Sequence, residues 1–217
     1  MPAHLTLLVV RPTPAGLDRR SLDGLAAAVA RRLPDPVRVA HLDQADPSVH
    51  AVLDEARAAG VATVVVVPLA LPADAYLRTW VARAVASWRA TRDVDRPEVR
   101  ITADPAASAG AADVVADLAR GPTDPVTASA GAFRSPAWSV IDPPERHLLV
   151  CRGPRCTAHG AGDAHRALTA AVRSSATWVT PTGCLGPCSL GPLVVDHPSG
   201  TWHERVDATT AGEIATR

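Results

Sequence analysis

All four cysteines of this chain fall in its last third as two close pairs, Cys151-x4-Cys156 and Cys184-x3-Cys188, within the runs CRGPRC and CLGPC. Two such pairs, separated by a helix-length stretch, can converge on one point. Four thiolates suit a 2Fe-2S cluster or a structural zinc. The pairs are laced with Gly153, Pro154, Gly183, Gly186, Pro187, Gly191 and Pro192. Loops of that kind turn backbone N–H groups toward sulfur and leave room for a bulky inorganic core, whereas zinc hairpins more often use x2 spacings. Iron-sulfur is therefore favoured, with zinc and disulfides left open. Disulfides are the weaker of those two, because the chain shows no export signal and they are uncommon in reducing cytosol.

Composition bounds the partners. The 217 residues are 47% hydrophobic, enough for one sizeable core or two modest ones, and 22 basic residues balance 22 acidic ones. That balance, with only 3% aromatic residues, argues against a nucleic-acid partner or a membrane surface. The longest apolar stretch, Val61 to Ala73, is interrupted by Pro68 and Pro72 and is too short for a membrane span. A soluble, cytoplasmic protein is expected.

Along the first half, aliphatic runs alternate with segments of helical periodicity. Leu5–Val10, Val37–Leu42, Val61–Leu69 and Val99–Thr102 read as strands; Asp18–Leu33, Ser48–Ala59, Leu77–Ala90 and Ala109–Arg120 read as helices. The alternation predicts an α/β domain with a doubly wound parallel sheet over residues 1–120. Residues 121–145 turn to Pro, Ser, Thr and Ala without periodicity and read as a linker. Over residues 146–217 a strand (His147–Val150) enters the first cysteine loop and a helix (Gly162–Ser174) follows. Trp178–Thr180 then leads into the second loop, and Leu193–Asp196 pairs with Trp202–Val206 as a hairpin across Pro198-Ser199-Gly200.

Two families are recognisable in these segments. The stretch HLLVCRGPRCTAHGA, followed by PTGCLGPCSLGPLVVDHPSGTWHERV, resembles the thioredoxin-like 2Fe-2S ferredoxins and the ferredoxin-like small subunit of respiratory NADH dehydrogenase. The resemblance implies a thioredoxin-like domain in which Cys151, Cys156, Cys184 and Cys188 hold one 2Fe-2S cluster, a one-electron role and a redox partner protein. His203 stands where an aromatic hydroxyl is more usual in that family. The first half, with LLVV and then VRVAHLDQADPSVHAVLDEARAAGVATVVVVPLALPADAY, resembles the sirohydrochlorin or cobalt chelatases (CbiX-type), which insert a divalent metal into a tetrapyrrole. Both families often pair, so a homodimer is expected.

Chelatases of this type present a histidine after the first strand and another after the PLxL strand, as metal ligand and proton acceptor. Here those turns read Arg11-Pro12-Thr13-Pro14 and Pro72-Ala73-Asp74-Ala75-Tyr76. Neither holds a histidine. Asp43 remains at the family's acidic position, and Tyr76 falls near the second histidine, but a phenol titrating near 10 is a poor base and ligand. His41 and His50 lie in the same region and read as surface or satisfied core residues. His159 and His165, near the cysteine loops, are not needed where four cysteines complete the set, and Arg11, Arg152 and Arg155 read as solvated surface arginines. No catalytic residue is assigned. The expectation is a 2Fe-2S redox module whose degenerate chelatase-like domain docks a partner or binds a tetrapyrrole. The alternative is an active chelatase with a regulatory or structural cluster.

Overall fold

The first aliphatic run forms β1 (His4–Val10), buried at six consecutive positions as expected of a strand covered on both faces. This computed structural model describes residues 4–12, 18–92, 96–103, 105, 108, 110–123, 125 and 144–216. Most of the expected linker and the turn residues Thr13 and Pro14 lie outside those residues. After β1 come α1 (Arg19–Ala30), β2 (Val37–His41), α2 (Val49–Ala58), β3 (Thr63–Pro68), α3 (Ala75–Ala90), β4 (Glu98–Ile101) and α4 (Gly110–Arg120). The helices start where side-chain caps predict. Asp18, Ser48 and Asp74 each accept a hydrogen bond from a backbone N–H of the following first turn.

The four strands pair in parallel in the order β2-β1-β3-β4. Chain direction along the sheet reverses between β1 and β3. In doubly wound sheets, the crevice at the carboxyl ends of such strands is where ligands bind. Leu7, Val9, Val64 and Val66 fill the sheet interior against Leu53, Leu77, Val81 and Trp88, all buried. Trp88 also donates from its indole N–H to Asp54 at 3.0 Å, so its one polar atom is satisfied. By contrast α4 buries no side chain and leaves Val114, Val115 and Leu118 exposed.

The second unit runs β5 (Arg146–Cys151), α5 (Pro154–Ala158), α6 (Ala161–Ala171), β6 (Thr177–Thr182), β7 (Val194–His197), β8 (Thr201–His203) and α7 (Ala208–Ala215). Its sheet order is β6-β5-β7-β8, with β5 and β6 parallel and the rest antiparallel. The expected hairpin is present, but its second strand is shorter. After His203 the chain takes a left-handed turn at Arg205, whose N–H donates to Leu190, and Val206 donates to Pro192. Those bonds draw the segment back onto the second cysteine loop and end the strand.

Arg146 joins three elements of this unit. It grips Asp196 on β7 through two nitrogens at 2.6–3.0 Å and donates to the Ile214 carbonyl of α7 at 2.9 Å. The guanidinium holds the Asp196 carboxyl below the usual carboxylate range, chiefly by its hydrogen bond. A depressed folded pKa gives stability that is complete above the unfolded value of about 3.9 and is lost as pH falls through the folded value. Asp196→Asn is predicted to cost about 1.5–3 kcal/mol in urea unfolding at neutral pH. The gap between the two proteins closes in acid as the wild-type carboxyl protonates. A gap that persists in acid would show that the pair contributes by shape and not by charge.

Candidate metal centre

The four cysteines arrive from two loops that flank the parallel pair β5 and β6. Cys151 is the last residue of β5, and Cys156 lies in α5, which has Pro154 in its first turn. Both thiols are buried. Cys184 is exposed on the loop after β6, and Cys188 opens a short helical turn, with its sulfur 3.8 Å from that of Cys184. Leu185, Leu190, Leu193 and Ala161 pack around the buried pair. The structure thus brings together all four sequence-predicted ligands.

Glycine is required where these loops touch. A Cβ on Gly153 would stand 2.8 Å from Cβ of Cys184 and 3.3 Å from its sulfur, and one on Gly191 would stand 2.6 Å from the sulfur of Cys156. Each loop therefore packs its glycine against a cysteine of the other part of the nest. Hydrogen bonding distinguishes the sulfurs. The Cys151 thiol is pulled down to about 6, first by a hydrogen bond from Cys156, with burial opposing and the N–H groups of Leu185 and Gly153 adding to the fall. Cys156, donating to its neighbour and buried, is pushed up, and burial raises Cys188 as well. Among the described residues, no three His, Cys, Asp or Glu side chains meet as a site for a single metal ion.

The nest rests against the first unit through the segment after β2. Gln44, in the left-handed conformation at φ 63°, donates its backbone N–H to the Arg152 carbonyl and its side-chain amide to the Thr182 carbonyl, both at 3.0 Å. Asp46 pairs with Arg166 at 2.8 Å and stands 3.6 Å from Arg152. Arg152 is 4% exposed, which corrects the expectation of a solvated arginine: it is buried between the two units, and two of its nitrogens have no partner. Nothing in the sequence pointed to Gln44 or Arg166. Their roles depend on a contact between segments more than a hundred residues apart.

The crevice at the carboxyl ends of β1 and β3 is lined by Arg11, Pro12, Leu69, Ala70, Leu71, Pro72, Asp74 and Leu77. It holds no histidine. Arg11 donates to Asp43 at 3.1 Å, lies 3.9 Å from Asp74 and stacks 4.4 Å over the Tyr76 ring. Arg11, too, is engaged and not merely solvated. Burial raises the Asp43 carboxyl, with Arg11 opposing, and burial also raises the Tyr76 hydroxyl, which lies within reach of the charges on Cys184 and Cys188.

The other histidines divide. His50 is a satisfied core residue bonded to the Ala84 carbonyl at 2.8 Å, and its ring meets His159 edge-on across the interface. His41 is buried with neither ring nitrogen partnered, so it is neither a surface residue nor a satisfied one. Burial holds His41, His50 and His165 below the usual imidazole range.

A doubly wound parallel sheet and an appended cysteine nest on a mixed sheet define a two-part protein, and each part has known relatives. The CbiX family model matches residues 6–119, and the chain belongs to the CbiX family. Its C-terminal part belongs with the 2Fe-2S ferredoxins. The ferredoxin of Clostridium pasteurianum is 32% identical over 83 residues, covering 33% of this chain and 81% of that protein. That of Aquifex aeolicus (strain VF5) is 28% identical over 85 residues, covering 33% of this chain and 77% of that protein. Among solved structures, the wild-type thioredoxin-like 2Fe-2S ferredoxin of Aquifex aeolicus matches at 28% identity with a TM-score of 0.30, covering 33% of this chain and 82% of that one. A putative cobalamin biosynthesis CbiX protein of Marinobacter aquaeolei VT8 matches at 20% identity with a TM-score of 0.46, covering 54% of this chain and 94% of that one.

Exposure sets the order of thiol reactivity in metal-free protein. Limiting iodoacetamide at neutral pH is predicted to label Cys184 at least tenfold faster than Cys151 or Cys156, read by peptide mass spectrometry. Equal labelling would show that the first loop opens to solvent.

Proposed function

We propose that the protein is a one-electron carrier in which Cys151, Cys156, Cys184 and Cys188 hold one 2Fe-2S cluster, and whose CbiX-type domain is a docking or tetrapyrrole-binding scaffold. The observation that carries this reading is the gathering of four sulfurs in one nest, where Gly153 and Gly191 leave no room for a side chain against Cys184 and Cys156. The donor set fits. Two thiolates on one tetrahedral metal stand about 3.8 Å apart for metal–sulfur bonds of about 2.3 Å, which is the spacing of Cys184 and Cys188. When bound, the cluster supplies a one-electron couple.

The chain's own groups serve that role in definite ways. Leu185 and Gly153 direct N–H groups at the Cys151 sulfur and Leu193 directs one at Cys156, stabilising negative charge there. Leu185, Leu190 and Leu193 exclude water from the buried pair. Cys184, at the exposed rim, is where a redox partner protein would approach.

The crevice supports loss of chelatase chemistry. Asp43 is engaged by Arg11 where a free carboxylate would be needed, Tyr76 is shifted further from neutrality, and His50 uses a ring nitrogen on Ala84. His41 is sealed from the crevice lining. Among the described residues no helix is long and apolar enough to cross a membrane. A homodimer belongs to this proposal as an expectation from both families.

Anaerobically purified protein is predicted to be red-brown, to contain two irons and two sulfides per chain, and to give a spin-half EPR signal after dithionite. Colourless protein with stoichiometric zinc would overturn the redox reading. Cys184→Ala is predicted to lose the visible absorbance, and full retention would show that the ligand assignment is wrong. Cobalt or iron insertion into sirohydrochlorin is predicted to run at its uncatalysed rate; clear acceleration would establish the active-chelatase alternative.

A further inference from the structure

Between the two units, on the side of α2 and α3, lies a cavity of about 100 Å³ that neither the cysteine nest nor the crevice uses. Its walls come from both parts of the chain: His50 of α2, Trp80, Arg83, Ala84 and Ser87 of α3, and the segment Pro154–His159 that contains α5. Three properties make it a binding site of definite chemistry.

The first is uncompensated charge. Arg83 and Arg155, both exposed to solvent as expected of Arg155, stand at the rim of the cavity, no carboxylate lines it, and among the described residues neither arginine makes an ion pair. Arg92, the next guanidinium in the neighbourhood, is by contrast fully engaged by both oxygens of Asp54. The second is orientation. Arg83 is laid over the Trp80 ring at 4.9 Å, a stacking that fixes the guanidinium plane while leaving its donors free. The third is the apolar wall formed by Trp80, Ala84, Pro154 and Ala158, beside the buried His50 ring, which burial holds below the usual imidazole range.

We infer that this cavity binds a small organic carboxylate, its oxygens held between Arg83 of one unit and Arg155 of the other and its short hydrocarbon body against Trp80 and Ala158. A planar carboxylate matches the guanidinium fork. A phosphate dianion would call for a nest of backbone N–H donors or further cations, and it would leave the carbon wall unused. The volume admits a group of a few heavy atoms. Because the two arginines belong to different units, the ligand closes the interface beside α5, the element that carries Cys156.

The test is calorimetric titration of propionate into the full chain as purified with its metal content, with inorganic phosphate as comparator. Saturable propionate binding is expected, weakened about tenfold or more by Arg83→Gln and by Arg155→Gln, the scale of one lost charge-assisted hydrogen bond. It should be unchanged in Arg57→Gln, which alters an exposed arginine outside the cavity. Arg83 lies far from the cysteines in sequence, so R83Q decides the matter even where R155Q disturbs the first cysteine loop. Absence of saturable binding, propionate affinity indifferent to R83Q, or phosphate binding as tightly as propionate would each overturn the inference. None of these outcomes depends on which metal the cysteines hold.

Discussion

Gln44 is bonded to the backbone of both cysteine-bearing segments at once, to Arg152 next to Cys151 and to Thr182 two residues before Cys184. Much of the rest of the molecule is arranged around that bridge. Those same two carbonyls also accept from within the second unit, Arg152 from the Thr157 hydroxyl and Thr182 from the Arg152 N–H. The loops are therefore tied to each other and to the CbiX-type domain by one continuous set of bonds. A left-handed backbone at a residue other than glycine costs of order 1–3 kcal/mol and persists only where the surroundings determine it. At Gln44 two directed hydrogen bonds and the neighbouring Asp46–Arg166 pair do so. Gly162 completes the fit, since a Cβ there would stand 2.5 Å from the Asp46 carboxylate.

The two halves use charge in opposite ways. In the crevice, one cation serves two carboxylates: Arg11 bonds Asp43, stands 3.9 Å from Asp74 and stacks on Tyr76, so neither carboxylate lies without a cationic neighbour. At the interface cavity, two guanidiniums remain without acidic partners. The first arrangement ties the acidic groups of the crevice to a cation of the same domain. The second suits a surface that waits for an anion.

Legibility in the sequence followed the range of the interactions. Strands β1 and β3 and helices α2 and α3 were readable because aliphatic runs, Ser48 and Asp74 act through neighbours along the chain. The four cysteines were readable because their spacing is itself local within each pair. Helix α5 is too short to display a period, and α7 buries only Ala211 and Ile214, so neither announced itself, although Asp207 and Thr210 form a capping box that marks the start of α7. Arg152 was misjudged for a different reason. An arginine beside a cysteine loop is ordinarily solvated, and only the approach of Asp46 from the other domain buries it. The same contact, invisible in either segment alone, brings His159 against His50.

Burial is uneven across the four sulfurs, with Cys151 and Cys156 sealed and Cys184 open. Among the described residues the nest therefore has a sealed back at Cys151 and Cys156 and an open rim at Cys184, with Cys188 partly covered. Under the proposed function, cluster assembly and electron exchange would both run through that exposed rim at Cys184. Tyr76 and Gln44 of the CbiX-type domain stand at its edge. The open rim of the nest is thus bordered by residues from both halves of the chain.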